Sequence, residues 1–377
     1  MPLYNNVQLE EQFLIRIIKD YIHEQPTTTE DNIDWERAGY LLHKHQLSAI
    51  AYFQCKLFSG SEDLKNAYFT TISTSANRKK MYDAVIKEFD ENGIDYIPYK
   101  GIILANYYPQ PLCRTMGDVD ILIPDIDRAI DVMNLLGFCG QQNKEEWSWR
   151  KNGIEFEIHS KFFCNNVSLT DKQKKFFEDY EGYVHDHQLD VSYHFLLIIC
   201  HLMKHIKNGQ GIGLRQFLDV ALMIKEEKCL NWEWIFKNAE EIELLKFMSI
   251  TLNFVNSLFG IPLPSQTIPI PEETLQVLLE SVMVDGSFQS SSYKRKIAKE
   301  VNGTTKNQSL SMLFPPIRYM QEKYAYLGKA PILLPISWLD RIVNYVFSEK
   351  RTSKKRIVTK SEDIDNRKHY LSMLGIQ

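Results

Sequence analysis

Two aspartates separated by a single residue, Asp118 and Asp120, stand in the segment GDVDILI at residues 117–123. In a β-strand the side chains alternate between faces, so both carboxylates share one face while the aliphatic residues share the other. Carboxylates roughly 6.6 Å apart along a strand can both reach a hard cation, which takes oxygen ligands and commonly bridges substrate phosphates. The segment therefore predicts a strand with one core-facing side and one acidic side. Asp-x-Asp alone is a weak signal, because nucleotide-sugar glycosyltransferases also use it to bind metal.

A lysine, a glycine and an arginine precede the acidic strand. Lys100-Gly101 follows an apolar run, and a short helix is expected from Ile102 to Tyr108. Gly101 lets a phosphate approach the backbone closely, and the N–H groups at the start of the helix suit an anion. Lys100 is either a phosphate contact or a solvated lysine. Arg114 either holds a phosphate through its planar guanidinium or neutralises the acidic pair.

A β-hairpin is the clearest local pattern in the chain. Trp147 and Trp149 alternate with polar residues, Asn152-Gly153 matches a two-residue type I′ turn, and apolar residues alternate again from Ile154. On the return strand three polar residues lie opposite the apolar face: Glu155, Glu157 and His159. If the hairpin pairs beside the acidic strand, one of the two glutamates completes a carboxylate triad with the aspartate pair.

The order Lys-Gly, short helix, Arg-x-x-Gly-Asp-x-Asp and apolar strand end, over residues 94–159, resembles the polymerase-β-type nucleotidyltransferase superfamily. More narrowly, it resembles a bacterial branch known only as nucleotidyltransferase family proteins. The superfamily usually has Gly-Ser or Gly-Gly where this chain has Gly101-Ile102, so a phosphate-contacting hydroxyl is missing. The resemblance favours Glu157 as the third carboxylate, because the family's third acidic residue stands two positions before a histidine, here His159.

The resemblance implies an enzyme that uses Mg²⁺ or Mn²⁺ and an NTP, with ATP favoured. The residues that it implies to be catalytic and metal-binding are Asp118, Asp120 and Glu157. The residues that it implies to bind the nucleotide are Lys100, Gly101, Arg114, Gly117 and Lys204. The expected reaction moves NMP to the hydroxyl of an unidentified acceptor, with a small molecule favoured.

Lys204 belongs to an expected helix that also carries His201 and His205. The histidines are four residues apart and share a helix face, a spacing that metal sites use, but no glutamate stands where a zinc hydrolase needs one. The family branch carries a similar His-x-x-Lys-His helix followed by an Arg-x-x-x-Asp helix, here Arg215 and Asp219. The resemblance supports a role at the triphosphate or acceptor. Core packing and a plain i,i+4 ion pair are the alternatives.

The rest of the chain has helical patterns, so the expected fold class is α+β: a small mixed β-sheet core flanked by N-terminal and C-terminal helical subdomains. The expected parts are an N-terminal helical subdomain, the α/β nucleotidyltransferase core, a C-terminal helical subdomain, and a basic linker with a terminal helix, at residues 1–92, 93–163, 164–348 and 349–377. The expected helices include one capped by Asp34, then Ser61 to Asn92, Asp190 to Lys207, Leu214 to Glu227, Asn231 to Phe259, and several more up to Phe347.

Composition is that of an ordinary soluble globular protein, and the net charge of −4 gives no general attraction to nucleic acid or anionic lipid. Nucleic acid is therefore a disfavoured partner, and the basic run Lys350–Lys360 is interpreted as a solvated linker in preference to an RNA contact. The six cysteines are scattered without a Cys-x-x-Cys pair, which indicates reduced thiols. The sequence opens without a signal-peptide pattern and has no apolar window of membrane-span length. We expect a cytoplasmic protein without a membrane partner.

Three other functions remain open at this point. One is a toxin-like nucleotidyltransferase that modifies tRNA or a protein. Another is a non-catalytic nucleotide-binding or regulatory module of the same fold, which the missing hydroxyl after Gly101 makes reasonable. The last is a glycosyltransferase that binds a nucleotide sugar through Asp-x-Asp. It ranks lowest, because it needs a parallel βαβ region where the first 90 residues have a helical pattern.

Overall fold

The computed structural model describes residues 7–28, 32–55, 62–143, 146–163, 168–287 and 361–376, with short stretches and single residues between 295 and 340. The chain divides into two compact units, Met1–Ser290 with Leu371–Gln377, and Ser291–Tyr370. The first unit contains the β-sheet and every site residue named above.

Five strands form one mixed sheet in the order β1-β2-β5-β4-β3. Their bounds are β1 Ile97–Tyr99, β2 Asp118–Leu122, β3 Cys139–Asn143, β4 Glu146–Lys151 and β5 Ile154–His159. Strands β2 and β5 pair in parallel, and the other neighbouring pairs are antiparallel. A separate two-stranded sheet consists of β6 Val184–His185 and β7 Gln188–Leu189. A small mixed sheet accompanied by many helices confirms the predicted α+β class.

The β4–β5 hairpin confirms the prediction from the Asn-Gly pair. Asn152 and Gly153 both have positive φ, 51° and 75°, as a type I′ turn requires. Pairing across the turn begins at Lys151 and Ile154. The edge strand β3 was not predicted, because its sequence Cys-Gly-Gln-Gln-Asn lacks the apolar alternation that marks a half-buried strand.

Helices precede and follow the sheet. Those described are α1 Leu9–Ile22, α2 Trp35–Lys44, α3 Ser48–Gln54, α4 Glu62–Glu91, α5 Gly101–Leu104, α6 Ile126–Leu135, α7 Asp171–Glu178, α8 Val191–Lys207, α9 Leu214–Glu226, α10 Trp232–Glu241, α11 Leu245–Phe259, α12 Glu272–Asp285 and α13 Ser361–Met373. Short 3₁₀ turns follow α5, at Ala105–Tyr107 and Pro111–Cys113. Asp34 caps α2 as predicted, because its side chain accepts hydrogen bonds from the N–H groups of Glu36 and Arg37.

The single helix predicted from Asn231 to Phe259 is wrong, because the chain breaks between α10 and α11. Glu243 adopts a left-handed conformation, with φ of 59°. Its neighbours Ile242 and Leu244 are both buried. The left-handed residue turns the chain so that both apolar neighbours enter the core, an arrangement that a continuous helix would not allow.

One face of the sheet packs against α4 and α6. Apolar side chains of β2, β4 and β5 form this core with residues of the two helices: Val119, Ile121, Trp149, Ile154, Phe156, Ile158, Val85, Phe89, Ala129, Val132 and Met133. The residues between them on β2 and β5 therefore lie on the opposite face, in agreement with the predicted alternation.

Two expectations fall on parts of the chain that are not described. The basic run Lys350–Lys360 lies outside the described residues, as does most of the stretch from residue 288 to Phe347 where further helices were expected. Across the residues that are described, no helix combines the length and the apolar character that crossing a bilayer requires.

Candidate functional site

A cavity of about 390 Å³ lies on the acidic face of the sheet, beside α8 and α9. All the residues singled out from the sequence as catalytic or nucleotide-binding line it: Lys100, Gly101, Arg114, Gly117, Asp118, Asp120, Glu157 and Lys204. The structure thus brings together side chains from the β1–α5 junction, from β2 and the loop before it, from β5 and from α8.

The parallel pairing of β2 and β5 sets the position of the acidic residues. Asp120 stands directly opposite Glu157, and Asp118 opposite Glu155. Glu157 lines the cavity, whereas Glu155 is bonded within the hairpin, to Ser148 and to Arg150 at 2.8 Å. Of the two glutamates that the hairpin pattern left open, the structure places Glu157 beside the aspartates.

Asp120 is a buried carboxylate of the cavity with two nitrogen-bearing neighbours. It is 3% exposed, and its Oδ1 lies 2.5 Å from the Lys100 ammonium and 3.4 Å from Nε2 of His159. Burial by itself would raise the pKa of Asp120, but Lys100 and His159 outweigh that effect and hold the pKa well below its usual range. Asp120 is therefore ionised at neutral pH.

Asp118 differs from Asp120 although both lie on the same face. Burial and the neighbouring charges of Asp120 and Glu157 raise the pKa of Asp118 to about 7, and Lys100 only partly opposes them. Two carboxylates whose environments separate their pKa values in this way are characteristic of sites that move protons or bind cations.

The donor atoms fit a divalent cation. One oxygen each from Asp120 and Glu157 and one nitrogen from His159 lie within 4.8 Å of one another. Carboxylate oxygens are the ligands that Mg²⁺ and Mn²⁺ take in proteins, and Asp118 adds a further carboxylate in the same cavity. The sequence pattern placed His159 on the same strand face as Glu157 but did not indicate it as a metal ligand.

Lys100 has an unusual backbone conformation. Its φ and ψ are 53° and −122°, a combination that residues other than glycine seldom adopt. Its N–H donates a 3.1 Å hydrogen bond to Nε2 of His194 on α8. Burial and the Lys100 charge lower the pKa of His194 to about 4, so the imidazole is neutral and can accept this bond. No sequence pattern indicated His194.

Arg114 donates two hydrogen bonds to a carboxylate outside the acidic pair. Its Nε and Nη2 donate to the carboxylate of Asp219 at 2.8 and 2.9 Å. Asp219 also accepts from Arg215 Nη1 at 2.8 Å and from the Tyr108 hydroxyl at 2.7 Å. These two bonds of the Arg114 guanidinium link the loop before β2 to α9. Only the third nitrogen, Nη1, has no hydrogen-bond partner among the described residues.

Gly101 lies against that third nitrogen. A Cβ atom added at Gly101 would come within 3.1 Å of Arg114 Nη1 and 3.5 Å of the Met116 Cβ. Glycine suits this position because of the close approach, since a larger residue would require the Arg114 guanidinium to shift by a few tenths of an ångström. The absence of a side chain at Gly101 lets this part of the chain pack directly against the buried Arg114 nitrogen.

Helix α8 presents His201, Lys204 and His205 to the cavity. The two histidines share a 2.7 Å hydrogen bond between their Nε2 atoms. Burial, helped by nearby positive charges, lowers the pKa of both imidazoles, so both are neutral. The Lys204 ammonium lies 5.6 Å from the ring centroid of Phe163. The expectation that this helix faces the acidic strand across a cavity therefore agrees with the structure.

Arg78, in the middle of α4, is a buried residue that the sequence interpretation missed. Its Nη2 is 3.4 Å from the carbonyl oxygen of Gly117, at the start of the acidic strand. Burial lowers the pKa of Arg78, and the nearby Asp118 carboxylate partly offsets the effect. A lone arginine in a long polar helix carries no pattern that distinguishes it from a solvated one.

Carboxylates on neighbouring parallel strands, facing lysine and arginine side chains across a polar cavity, are the arrangement expected of an enzyme that acts on phosphate-bearing substrates. The chain belongs to a family described as uncharacterised nucleotidyltransferase, whose model matches residues 31–260. This match agrees with the resemblance noted for residues 94–159 and extends it into the helices on both sides. Comparison with curated proteins and with solved structures found no match.

Proposed function

We propose that this protein transfers NMP from an NTP, with ATP favoured, to the hydroxyl of an acceptor in a metal-dependent reaction. The observation that carries the proposal is the convergence of Asp118, Asp120 and Glu157 on one cavity that also contains Lys100, Lys204 and two arginines. Three carboxylates alone would repel a triphosphate. With divalent cations between them and the phosphates, both sets of charges are satisfied.

Asp118, Asp120 and Glu157 would hold two Mg²⁺ or Mn²⁺ ions. When bound, such ions polarise the reacting phosphate, lower the pKa of the attacking hydroxyl and neutralise the leaving diphosphate. Asp120 is already ionised in the folded protein, because Lys100 and His159 stabilise its charge. Asp118 has a pKa of about 7 and would lose its proton as the cation arrives.

The other cavity residues would bind and orient the nucleotide. Gly101 allows close approach to the backbone, and Nη1 of Arg114 can donate to a phosphate oxygen while the rest of that side chain stays fixed on Asp219. Lys204, on α8, lines the same cavity and would supply a further positive charge. Gly117 precedes the acidic pair and leaves space beside it. A triphosphate held at several points would place its α-phosphorus near the carboxylates.

In the reaction the acceptor oxygen bonds to the α-phosphorus as the bond to the diphosphate breaks. The proton of the acceptor hydroxyl needs a base, and Glu157 is the proposed one, since it is the more exposed acidic partner of the buried Asp120. The products are the nucleotidylated acceptor and diphosphate.

The test is incubation of the protein with each α-³²P-labelled NTP, Mg²⁺ or Mn²⁺, and an extract of small molecules, tRNA and protein. We expect transfer of label to the small-molecule fraction, and none with an Asp120→Asn variant. Label on tRNA or protein would support the toxin-like alternative. Binding of ATP without transfer under any condition would support the non-catalytic module and overturn the proposed reaction.

A further inference from the structure

A histidine stands among the carboxylates of the site. Within the part of the chain that the structure describes, the group of side chains placed to hold a metal consists of Asp120, Glu157 and His159. Nε2 of His159 is 3.4 Å from Oδ1 of Asp120 and 3.5 Å from Oε2 of Glu157. The imidazole thus points at the same place as the two carboxylates.

These separations are close to those of adjacent ligands around one ion. Ligands about 2.1 Å from an octahedral cation lie about 3 Å from their neighbours, because they subtend a right angle there. Each of the two distances to His159 needs to contract by only about half an ångström to meet that value. The side-chain torsions of a glutamate and a histidine absorb shifts of this size without backbone movement.

The His159 ring packs against a neighbouring aromatic ring. It makes an edge-to-face contact with Tyr99, with ring centroids 5.9 Å apart and planes at 68°. The backbone of His159 pairs with Leu122 of β2, at the end of the parallel register. A side chain fixed both by its strand and by a neighbouring ring loses little further freedom when it ligates an ion.

A second observation indicates that the cavity takes a charged ligand. Arg114 is 4% exposed, and its Nη1 has no hydrogen-bond partner among the described residues although the side chain lines the same cavity. A buried guanidinium nitrogen needs an acceptor. An anion bound together with a cation at the carboxylates would supply that acceptor.

We propose that His159 Nε2 is a metal ligand together with Asp120 and Glu157, and that this site therefore takes Mn²⁺ in preference to Mg²⁺. Mg²⁺ binds oxygen ligands and keeps several waters, whereas an imidazole nitrogen suits first-row transition ions. Mn²⁺ is a transition ion that also accepts a carboxylate-rich set. This inference rests on the proposed function only in locating the catalytic cation at these residues, and it is tested without nucleotide.

The experiment is electron paramagnetic resonance of Mn²⁺ bound to the full chain, with electron spin echo modulation to detect coupled ¹⁴N. We expect nitrogen modulation that changes when all histidines carry ¹⁵N. We also expect Mn²⁺ to bind at least about tenfold more tightly than Mg²⁺, measured by calorimetry. His159→Gln should abolish the modulation and weaken Mn²⁺ by about tenfold or more, the loss that even an outer-shell partner typically causes.

The matched control is His201→Gln, because His201 lines the same cavity on α8 but is not a member of the three-residue group. It should keep the nitrogen modulation. Bound Mn²⁺ without nitrogen coupling, loss of the coupling in His201→Gln instead, or equal affinity for Mg²⁺ and Mn²⁺ would each overturn the inference. The nitrogen coupling is measured on the wild-type protein. The proposal can therefore be refuted even if His159→Gln does not fold.

These outcomes are separable from the proposed function. NTP transfer without nitrogen coupling would overturn the role of His159 and leave the nucleotidyltransferase proposal intact. Nitrogen coupling in a protein that transfers no label would support the role of His159 and overturn the proposed transfer reaction.

Discussion

The ammonium nitrogen of Lys100 lies 2.5 Å from Oδ1 of Asp120, and the same oxygen lies 3.4 Å from Nε2 of His159. The Asp120 carboxylate, which lies between Asp118 and Glu157, is therefore already paired with the positive charge of Lys100. Burial opposes the charge of Lys100, but Asp120 and Asp118 outweigh it and raise the pKa of the ammonium. A divalent cation arriving at Asp120 meets a competitor that is always charged.

Replacing Lys100 by methionine should therefore tighten metal binding while impairing the reaction. We expect Lys100→Met to bind Mn²⁺ several-fold more tightly than wild type in the absence of nucleotide, and to transfer label more slowly because a phosphate contact is lost. Calorimetry and the transfer assay measure the two effects. Lys79→Met is the matched control, since Lys79 makes an ion pair of the same length with Asp83 on the surface of α4. Unchanged or weaker Mn²⁺ binding in Lys100→Met would refute the competition.

Asp120→Asn should abolish transfer while keeping the fold. The change removes one ligand charge with little change in volume, and Lys100 keeps Asp118 and Glu157 as charge partners. Loss of one such electrostatic contact costs on the order of 3 kcal/mol, which is a decrease of about a hundredfold or more in kcat. Glu155→Gln provides the control, because Glu155 is bonded within the hairpin and does not line the cavity. Near-normal activity of Asp120→Asn would place the chemistry elsewhere.

Because the pKa of Asp118 is raised, we expect this residue to lower the free energy of unfolding of the metal-free protein as the pH rises. Its pKa is about 7 in the folded protein, against an ordinary value of 3.8 for an aspartate in an unfolded chain. Between these values the folded state binds more protons than the unfolded state, so this group lowers stability as pH rises from about 4 to about 7. Asp118→Asn should thus raise the melting temperature at pH 8 by more than at pH 5. Thermal unfolding in EDTA tests this, and an equal gain at both values would contradict it.

Asp219→Asn should destabilise the protein strongly. The substitution leaves the buried guanidiniums of Arg114 and Arg215 without their carboxylate. Breaking a buried pair by removing one partner typically costs about 3–5 kcal/mol. Urea unfolding followed by circular dichroism gives the change in the free energy of unfolding. Asp83→Asn, at an exposed ion pair, should change it by less than about 1 kcal/mol.

Lys204→Ala should raise the KM for nucleotide more than it lowers kcat, the pattern for lost binding that is uniform between ground and transition states. The motive is the position of Lys204 on the cavity wall opposite the acidic strand. Lys207→Ala is a control on the same helix, because Lys207 lines a different depression with Thr170 and Gln173. A kcat effect alone would indicate that Lys204 acts in the chemical step.

Local patterns predicted the part of the site that lies on strands. The alternation in GDVDILI placed Asp118 and Asp120 on one face, and the Asn152-Gly153 turn fixed which residues of β5 share a side. The parallel pairing of these two strands could only be assumed from the sequence. Its register, with Asp120 opposite Glu157, is what brings the third carboxylate beside the other two.

Interactions between distant segments could not be predicted. Arg114 donates to Asp219, 105 residues away, and no local pattern or spacing indicated this contact. His194 and Arg78 acquire their contacts only when α8 and α4 pack beside the sheet. The break between α10 and α11 has the same origin, because burial of Ile242 and Leu244 overrides a helical sequence pattern.

The carboxylate of Asp219 also joins two walls of the cavity. It accepts hydrogen bonds from Tyr108, Arg114 and Arg215, and so fastens the loop before β2 to α9. Separating these two walls would remove the counter-ion of buried guanidiniums, so this side of the cavity resists widening. Under the proposed function, an acceptor would gain no room from an opening of this wall, and its hydroxyl would have to reach the carboxylates through the cavity as it stands.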